Sequence, residues 1–454
     1  TLHAISAPLA NRIQKKSGNQ IIQNLKTGEI SLSKKITQAT SLITPLGPRT
    51  RENMDLAISI WHDVLKTNFS ESINNEVYDS MLKCAGCFAD PEKPAKNRDI
   101  DSSIKIWTAA YGFNHSENLN NLVILNMMKI ANLMSNPLIS ENMDIDNSIA
   151  IWKTAYNLLQ NKTQKLIVIK SMAKYAYLIL KKDINPNFEE TIDAALRIWN
   201  EIYQISQADD HDIKVVQPLS EIAGSLVLRQ NIPDPKNAIK IWKFIYNLAT
   251  DYDKRLITIK NMMSYANLLA DPSSEEGKRN IDAAICIWKA IYELNFDENT
   301  NNIVIKTMMR FARMYSDFNK KISERDIDSS IKIRKAILDL NYSPESNDIV
   351  IKTTMMTANN IADPLSPENY RDVNSAIKLW KFIYDFHYSN PDNPDINSDL
   401  IVIKTMIQFA NKYALLAEKK GSGRSLEEML IWKSIIEMNY NDYFNKLAEE
   451  HLNI

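Results

Sequence analysis

Hydrophobic positions recur along this chain in two alternating patterns, each with the spacing of an amphipathic helix. In the first, Ile305, Met308 and Ala312 stand at i, i+3 and i+7, which places them on one apolar stripe. In the second, a small residue stands four positions before a tryptophan and a tyrosine four positions after it, as around Trp288. The alternation of the two patterns predicts a chain built from helix pairs.

The tryptophans mark one phase of a repeat. They are Trp61, Trp107, Trp152, Trp199, Trp242, Trp288, Trp380 and Trp432. Successive gaps are 46, 45, 47, 43, 46, 92 and 52 residues, and the 92 is a double step in which Arg334 takes the skipped place. A period in the mid-forties is typical of stacked helix pairs. We expect buried tryptophans, with Arg334 marking a weak point or reaching out of the core.

An alanine marks the other helix of each copy. The alanines are Ala85, Ala131, Ala176, Ala223, Ala266, Ala312, Ala358 and Ala410. The step from the tryptophan position to the next alanine is 24 residues in seven of eight copies. In the last copy this step is six residues longer, because of an insertion at 389–394. The step from the alanine to the next tryptophan position varies between 19 and 23 residues. One connection is therefore rigid and the other tolerates insertions. Ala39 starts a further, degenerate copy near residue 28.

These repeats predict an all-α fold, a right-handed α-solenoid (superhelix) of about nine helix-pair repeats. The expected organisation is an N-terminal helical cap over 1–27, the repeats over 28–438 and a C-terminal capping helix over 439–454. The chain has no run of 18 apolar residues, which predicts no transmembrane helix. Without an apolar signal core in the first 30 residues, we expect a soluble intracellular protein.

A residue suited to capping a helix stands eight positions before eight of the nine tryptophan positions. These residues are Asn53, Asp99, Asp144, Thr191, Asp234, Asn280, Asp326 and Asp372. Six positions before it there is usually a further aspartate, where a carboxylate suits the positive end of the helix dipole. We interpret this acidic row as helix capping rather than as a metal site.

The chain has few residues arranged for catalysis. Cys84 and Cys87 form a C-x-x-C within a repeat helix, where small packing residues are the simpler interpretation. Phosphate-binding glycine loops, the G-x-S-x-G nucleophile motif and the H-E-x-x-H zinc motif are absent from the sequence, and its six histidines share no repeat phase. We predict no enzymatic activity, no cofactor and no metal site.

Basic residues are concentrated on one stripe of the alanine helices. The positions six and two before the alanine and one after it share a helix face, and they hold ten basic residues against two acidic ones, in a chain with 54 Lys+Arg and 55 Asp+Glu. The ten, called the basic stripe below, are Lys83, Lys129, Lys170, Lys174, Lys260, Lys306, Arg310, Arg313, Lys352 and Lys404. Such a stripe along an inner groove suits an extended polyanion or an acidic peptide; the alternative is a solvated face that favours lysine.

The stretch from Val77 to Gly86, Val-Tyr-Asp-Ser-Met-Leu-Lys-Cys-Ala-Gly, followed by Ser-Ile-Lys-Ile-Trp107, resembles a pentatricopeptide repeat, although the repeats here are longer. The resemblance implies single-stranded RNA binding, one base per repeat, through a small polar residue of the first helix. The residues at this position of the repeat, called the polar row below, are Ser80, Asn126, Ser171, Asn261, Thr307, Thr353 and Thr405. Pro218 interrupts the row in one copy. The other interpretation is a small residue tolerated at a helix–helix edge.

The sequence thus predicts a non-enzymatic, monomeric binding protein whose ligand is single-stranded RNA held on the basic stripe and the polar row. The alternative is a protein-interaction scaffold that takes an extended or acidic partner. That alternative would also fit a bacterial effector translocated into a host cell to bind a host protein.

Overall fold

The residues that the structure describes fold into helices and contain no β-strand. The structure is a computed structural model, and it describes residues 31–43, 51–67, 70–114, 116–138, 143–181, 188–208, 215–228, 233–274, 279–388 and 396–452. The expected cap over 1–27 and the insertion at 389–394 lie outside these residues. The chain divides into two compact units, Thr1–Pro218 and Leu219–Ile454.

Nineteen α-helices follow one another in the described part of the chain. They are α1 (Leu32–Leu42), α2 (Arg51–Thr67), α3 (Glu71–Phe88), α4 (Ile100–Gly112), α5 (Glu117–Met134), α6 (Ile145–Leu158), α7 (Lys162–Leu180), α8 (Phe188–Ala208), α9 (Val216–Val227), α10 (Pro235–Leu248), α11 (Tyr252–Leu269), α12 (Ile281–Glu293), α13 (Glu298–Tyr315), α14 (Ile327–Leu340), α15 (Pro344–Ile361), α16 (Val373–Tyr388), α17 (Ile396–Lys419), α18 (Leu426–Met438) and α19 (Asp442–Leu452). Odd-numbered helices up to α17 carry the alanine, and even-numbered ones the tryptophan position. The nine pairs confirm the predicted α-solenoid class.

Within most pairs, the alanine helix packs most closely against the tryptophan helix that follows it. The loop between them is closed at its base by one backbone hydrogen bond: the N–H of the N-cap residue donates to the carbonyl three residues after the alanine. Asp99 bonds in this way to Phe88 at 3.0 Å, Asp326 to Tyr315 at 2.9 Å, and four further copies repeat the bond. Because both ends of the loop are held, residues can be added between them without moving the helices.

Tryptophans fill the space between consecutive copies. Seven of the eight are exposed by 1% or less and Trp199 by 3%. The indole of Trp242 lies 5.6 Å, centroid to centroid, from the ring of Tyr265, which directly precedes the alanine of the next helix, and Trp152 stands in the same relation to Tyr175 at 6.2 Å. The expected burial of the tryptophans is confirmed, and the constant 24-residue step follows from this packing.

Arg334 departs from expectation, because its side chain does not reach out of the core. It is 2% exposed, and its guanidinium donates hydrogen bonds to side-chain hydroxyls on its own and neighbouring helices. The repeat therefore keeps its packing at this position although a cation replaces an indole.

Most of the acidic row caps helices as predicted. The side chains of Asp99, Asp144, Asp234, Asn280, Asp326 and Asp372 each accept a hydrogen bond from the backbone N–H three residues later. The prediction is wrong for Asn53 and Thr191, which lie inside helices that begin at Arg51 and Phe188. The aspartates of the first turn also form exposed ion pairs with the next copy, as between Asp282 and Lys332 at 3.0 Å.

Asparagines set the turn between one pair and the next. Asn114, Asn295, Asn341 and Asn439 follow tryptophan-phase helices with φ between 44° and 49°, the left-handed region that asparagine tolerates. Each also accepts a side-chain hydrogen bond from the asparagine six residues later; Asn301 donates to Asn295 at 3.0 Å. This turn gives a second reason for the constant step.

One helical segment, Asp399–Lys419 of α17, is long and apolar enough to cross a membrane by length and composition alone. In the second unit, its residues Val402, Met406 and Ala410 are buried in a core formed with α16 and α18. The helix α17 therefore packs against the tryptophan helices before and after it, as an alanine helix of the repeat.

Candidate functional site

All ten residues of the basic stripe are exposed on alanine helices. In the first unit, Lys83 lies on α3, Lys129 on α5, and Lys170 and Lys174 on α7; in the second, Lys260 lies on α11, Lys306, Arg310 and Arg313 on α13, Lys352 on α15 and Lys404 on α17. The second unit thus carries the denser part of the stripe. The exposure of all ten residues agrees with their spacing along the helices.

Acidic neighbours neutralise part of the basic stripe. The Nζ of Lys83 lies 2.6 Å from a carboxylate oxygen of Asp79, and Lys352 makes the same contact with Asp348 at 2.6 Å. The hydrogen bond that Lys83 donates to Asp79 raises the pKa of the Lys83 ammonium. Both pairs join exposed residues four apart on one helix and leave less positive charge for a ligand than the sequence suggests.

Three basic residues share one groove. A groove of about 630 Å³ opens between α13 and α15 in the second unit, and Lys306, Arg310 and Arg313 line it together with Thr353 of the polar row. Its apolar lining includes Ile349 and Met356 of α15. Lys352 lies on α15 outside the groove lining, and the other basic residues lie on other helices, so among the described residues this groove brings together four predicted site residues.

The polar row is used largely for contacts between helices. Ser80 Oγ lies 2.6 Å from Thr40 Oγ1 of the preceding alanine helix, and Ser171 Oγ donates to Asn132 Oδ1 at 2.8 Å. Asn126 Oδ1 accepts from the indole N–H of Trp107 at 2.9 Å. Asn261 Nδ2 donates to Ser220 Oγ at 3.1 Å. These four side chains join helices of the repeat array.

Two of the three threonines of the polar row are hydrogen-bonded to their own helices. Thr353 and Thr405 donate to backbone carbonyls four residues earlier, at 2.8 and 2.7 Å. Thr307 is half-buried beside Lys306. Hydroxyls engaged in this way have less hydrogen-bonding capacity for a base edge, and the base-reading role stays a prediction.

A row of exposed aliphatic residues, missed by the sequence analysis, runs beside the basic stripe. In six copies the residue nine positions before the alanine is leucine or isoleucine, exposed between 46% and 60%. The six, called the aliphatic row below, are Leu122 and Ile167 in the first unit and Ile257, Ile303, Ile349 and Ile401 in the second. Each isoleucine stands three residues before a lysine of the stripe, hence on the same helix face. The repeated spacing of three residues between an isoleucine and a lysine was the feature of the sequence that could have revealed this row.

No family model matches this sequence, and no curated protein matches it. Three solved structures are similar in their succession of helices. The tetratricopeptide-repeat domain of P58(IPK) is 11% identical, with 92% of this chain and 96% of that chain covered and a TM-score of 0.21. A circular tandem repeat protein with novel repeat topology is 11% identical, with coverages of 93% and 94% and a TM-score of 0.20. A computationally designed self-assembling cyclic homo-oligomer is 10% identical, with coverages of 85% and 99% and a TM-score of 0.09.

The C-x-x-C pair and the acidic side chains are the other candidate chemical groups of this chain. Cys84 is buried and Cys87 exposed on the same helix, and burial raises the pKa of the Cys84 thiol to about 11, which disfavours the reactive thiolate. No group of three or more His, Cys, Asp or Glu side chains there could hold a metal ion. The surface formed by the aliphatic row and the basic stripe is therefore the strongest candidate site.

Proposed function

We propose that this chain is a non-enzymatic scaffold that binds an extended segment of a partner protein, rich in acidic and aliphatic residues, on the alanine-helix face of its second unit. The observation that carries the proposal is the pairing, repeated on α11, α13, α15 and α17, of an exposed isoleucine with a lysine one turn later. Isolated exposed hydrophobic residues are ordinary, but a regular row of them marks a surface suited to a partner.

The spacing of the row supports an extended occupant. Successive alanine helices of the second unit make little direct backbone contact, so their spacing is about one helix diameter with side chains, roughly 10–12 Å, and an extended chain advances about 3.3 Å per residue. Successive isoleucines would then meet every third residue of the bound segment. Carboxylates between those contacts would face Lys260, Lys306 and Lys404, which form no ion pair among the described residues.

The same row favours protein over RNA. Single-stranded nucleic acid is held by phosphate contacts and by stacking of its bases on aromatic or arginine side chains. The exposed row is aliphatic, and an isoleucine offers no flat ring on which a base can stack. Burial of such side chains against a partner's apolar residues gains free energy through the hydrophobic effect.

Fluorescence anisotropy on the full chain tests the proposal with defined probes. We expect a labelled peptide of repeating Ile-Glu-Ser triplets to bind, and peptides of Ser-Glu-Ser or Ile-Lys-Ser triplets to bind at least tenfold more weakly. The combined substitution of Ile303, Ile349 and Ile401 by serine should weaken binding of the first peptide, as should the reversal of Lys306, Lys352 and Lys404 to glutamate. Leu365→Ser, at a residue 80% exposed outside the row, is the matched control.

Oligouridine serves as the opposing probe. If it binds better than every peptide, with a steep salt dependence that the isoleucine substitutions leave unchanged, the protein-scaffold proposal is overturned in favour of RNA. In that case Thr307→Ala should change base preference without changing the salt dependence, because a hydroxyl would meet a base rather than a phosphate.

A further inference from the structure

Arg334 is held in the second unit entirely by neutral hydroxyl groups. Its Nη1 donates to Thr354 Oγ1 at 2.8 Å and to Thr353 Oγ1 at 3.3 Å. Its Nε and Nη2 donate to Ser330 Oγ at 3.2 Å and Ser316 Oγ at 3.3 Å. The four hydroxyls come from three segments that meet at this position, so the guanidinium is fixed in place.

No described carboxylate pairs with this buried cation. Burial, and to a smaller extent the neighbouring Arg313, lowers the pKa of Arg334 to about 10, so the guanidinium stays protonated at neutral pH. The buried Arg98 of the first unit differs, because Asp144 lies 2.9 Å from it. A buried charge without a counter-charge is unfavourable, and an anion bound nearby would relieve part of that cost.

The groove between α13 and α15 shares two residues with the hydrogen-bonding shell of Arg334. Ser316 and Thr353, two of the hydroxyl residues that hold the guanidinium, also line the groove. Its basic lining residues are Lys306, Arg310 and Arg313. The single acidic lining residue is Asp317, whose carboxylate accepts hydrogen bonds from the backbone and side chain of Asn319 at 3.0 and 3.1 Å. Three cations therefore line a groove that contains one carboxylate, and a fourth is hydrogen-bonded to two of its lining residues.

We propose that this groove selects one carboxylate side chain of the bound segment, with an aliphatic neighbour of that side chain packed against Ile349 and Met356. The inference rests on the proposed function and assigns to the α13–α15 copy a specificity that other copies lack. Arg310 and Arg313 would contact the carboxylate from the rim. Arg334 acts from below through the hydroxyls of Ser316 and Thr353, as a positioning residue whose field favours an anion.

The repeat supplies a suitable substitution. Arg334→Trp installs the side chain that every other copy carries at this position, and it removes the buried charge without emptying the core. Arg334→Lys keeps a cation but loses the fixed fork of donors. Lys335→Gln removes an exposed cation next to Arg334 on α14, outside both the basic stripe and the groove lining, and is the matched control for loss of positive charge.

Three labelled peptides of Ile-Ser-Ser triplets test the proposal; they differ only in one central serine, replaced by glutamate, glutamine or phosphoserine. We expect the wild-type chain to prefer glutamate over glutamine by about tenfold, the size of one charge-assisted contact. The preference should fall below about twofold in Arg334→Trp, persist in part in Arg334→Lys and survive in Lys335→Gln. Thermal unfolding of each variant confirms folding, and Arg334→Met replaces the tryptophan variant if that one unfolds early.

The outcomes separate the two proposals. Retention of the full glutamate preference by folded Arg334→Trp would overturn the inference and leave the scaffold proposal standing. Absence of binding by all three peptides and by the Ile-Glu-Ser peptide would overturn the scaffold proposal itself. A phosphoserine peptide bound more than about tenfold tighter than the glutamate peptide would overturn the choice of a carboxylate and identify a phosphate-binding groove.

Discussion

The indole of Trp288 packs against the ring of Phe311, with centroids 5.5 Å apart and planes inclined by 36°. Phe311 directly precedes the alanine of the next helix, and the same position supplies Tyr265 to Trp242 and Phe409 to Trp380. Each contact joins one helix pair to the next. The aromatic pairs therefore hold consecutive copies in register along each unit.

Replacement of Trp288 by alanine should destabilise the second unit by about 3–5 kcal/mol, because it empties a fully buried site between two helices. Hydrogen exchange measured during urea unfolding should show that backbone amides in α12 and α13 lose their protection first. Trp288→Phe is the control that keeps an aromatic ring and should cost less. A cost below about 1 kcal/mol for the alanine variant would contradict the assigned packing.

Asp144→Asn should destabilise the first unit by about 3–5 kcal/mol, because it removes the carboxylate that lies 2.9 Å from the buried guanidinium of Arg98. Asparagine still caps a helix, so the loss should report the ion pair rather than the cap. Asp99→Asn changes a cap that forms no ion pair among the described residues and should be nearly neutral. Equal effects of the two substitutions on the urea midpoint would refute this role.

Asn295→Ala should cost about 1–2 kcal/mol, since alanine is strained at a φ of 44°. Asn295→Gly relieves the strain and should cost less, although both variants lose the hydrogen bond from Asn301. The difference in unfolding free energy between the two variants, measured by thermal or urea unfolding, isolates the cost of the backbone strain at this position. If glycine is as destabilising as alanine, the side-chain bond rather than the backbone conformation dominates this turn.

Arg334→Trp should make the second unit more stable than the wild type at neutral pH. Burial lowers the pKa of Arg334 to about 10, and a tenfold change in proton affinity corresponds to about 1.4 kcal/mol, so the buried charge costs about 3 kcal/mol. Above about pH 10, and below the higher pKa of an exposed arginine, the unfolded chain binds more protons than the folded one, so wild-type stability at this site rises with pH.

The stability difference between Arg334→Trp and the wild type should therefore narrow as the pH rises through about 10. Urea midpoints of both proteins at pH 7, 9 and 10.5 measure the difference, in which the titration of other groups largely cancels. A difference that stays constant or widens would show that the arginine carries no burial penalty.

The repeat phase, the burial of residues such as Trp288 and the capping role of residues such as Asp326 were determined by the amino-acid sequence alone. These features depend on residues only a few positions away in the sequence, through helical periodicity and capping. The same pattern also recurs in several copies of the repeat, which makes it recognisable. The same locality explains the errors at Asn53 and Thr191, where a cap-type residue lies within a longer helix.

Only the tertiary structure decided the roles of the polar row and of Arg334. Ser171 meets Asn132, 39 residues away, and Arg334 meets Thr354, 20 residues away, and no periodicity reveals such partners. The exposed isoleucines were hidden for a related reason: an apolar residue on an amphipathic helix is assumed to be buried, and Ile303 stays exposed because no neighbouring helix covers that part of its face. Burial depends on which helices pack together, and tertiary packing alone determines that.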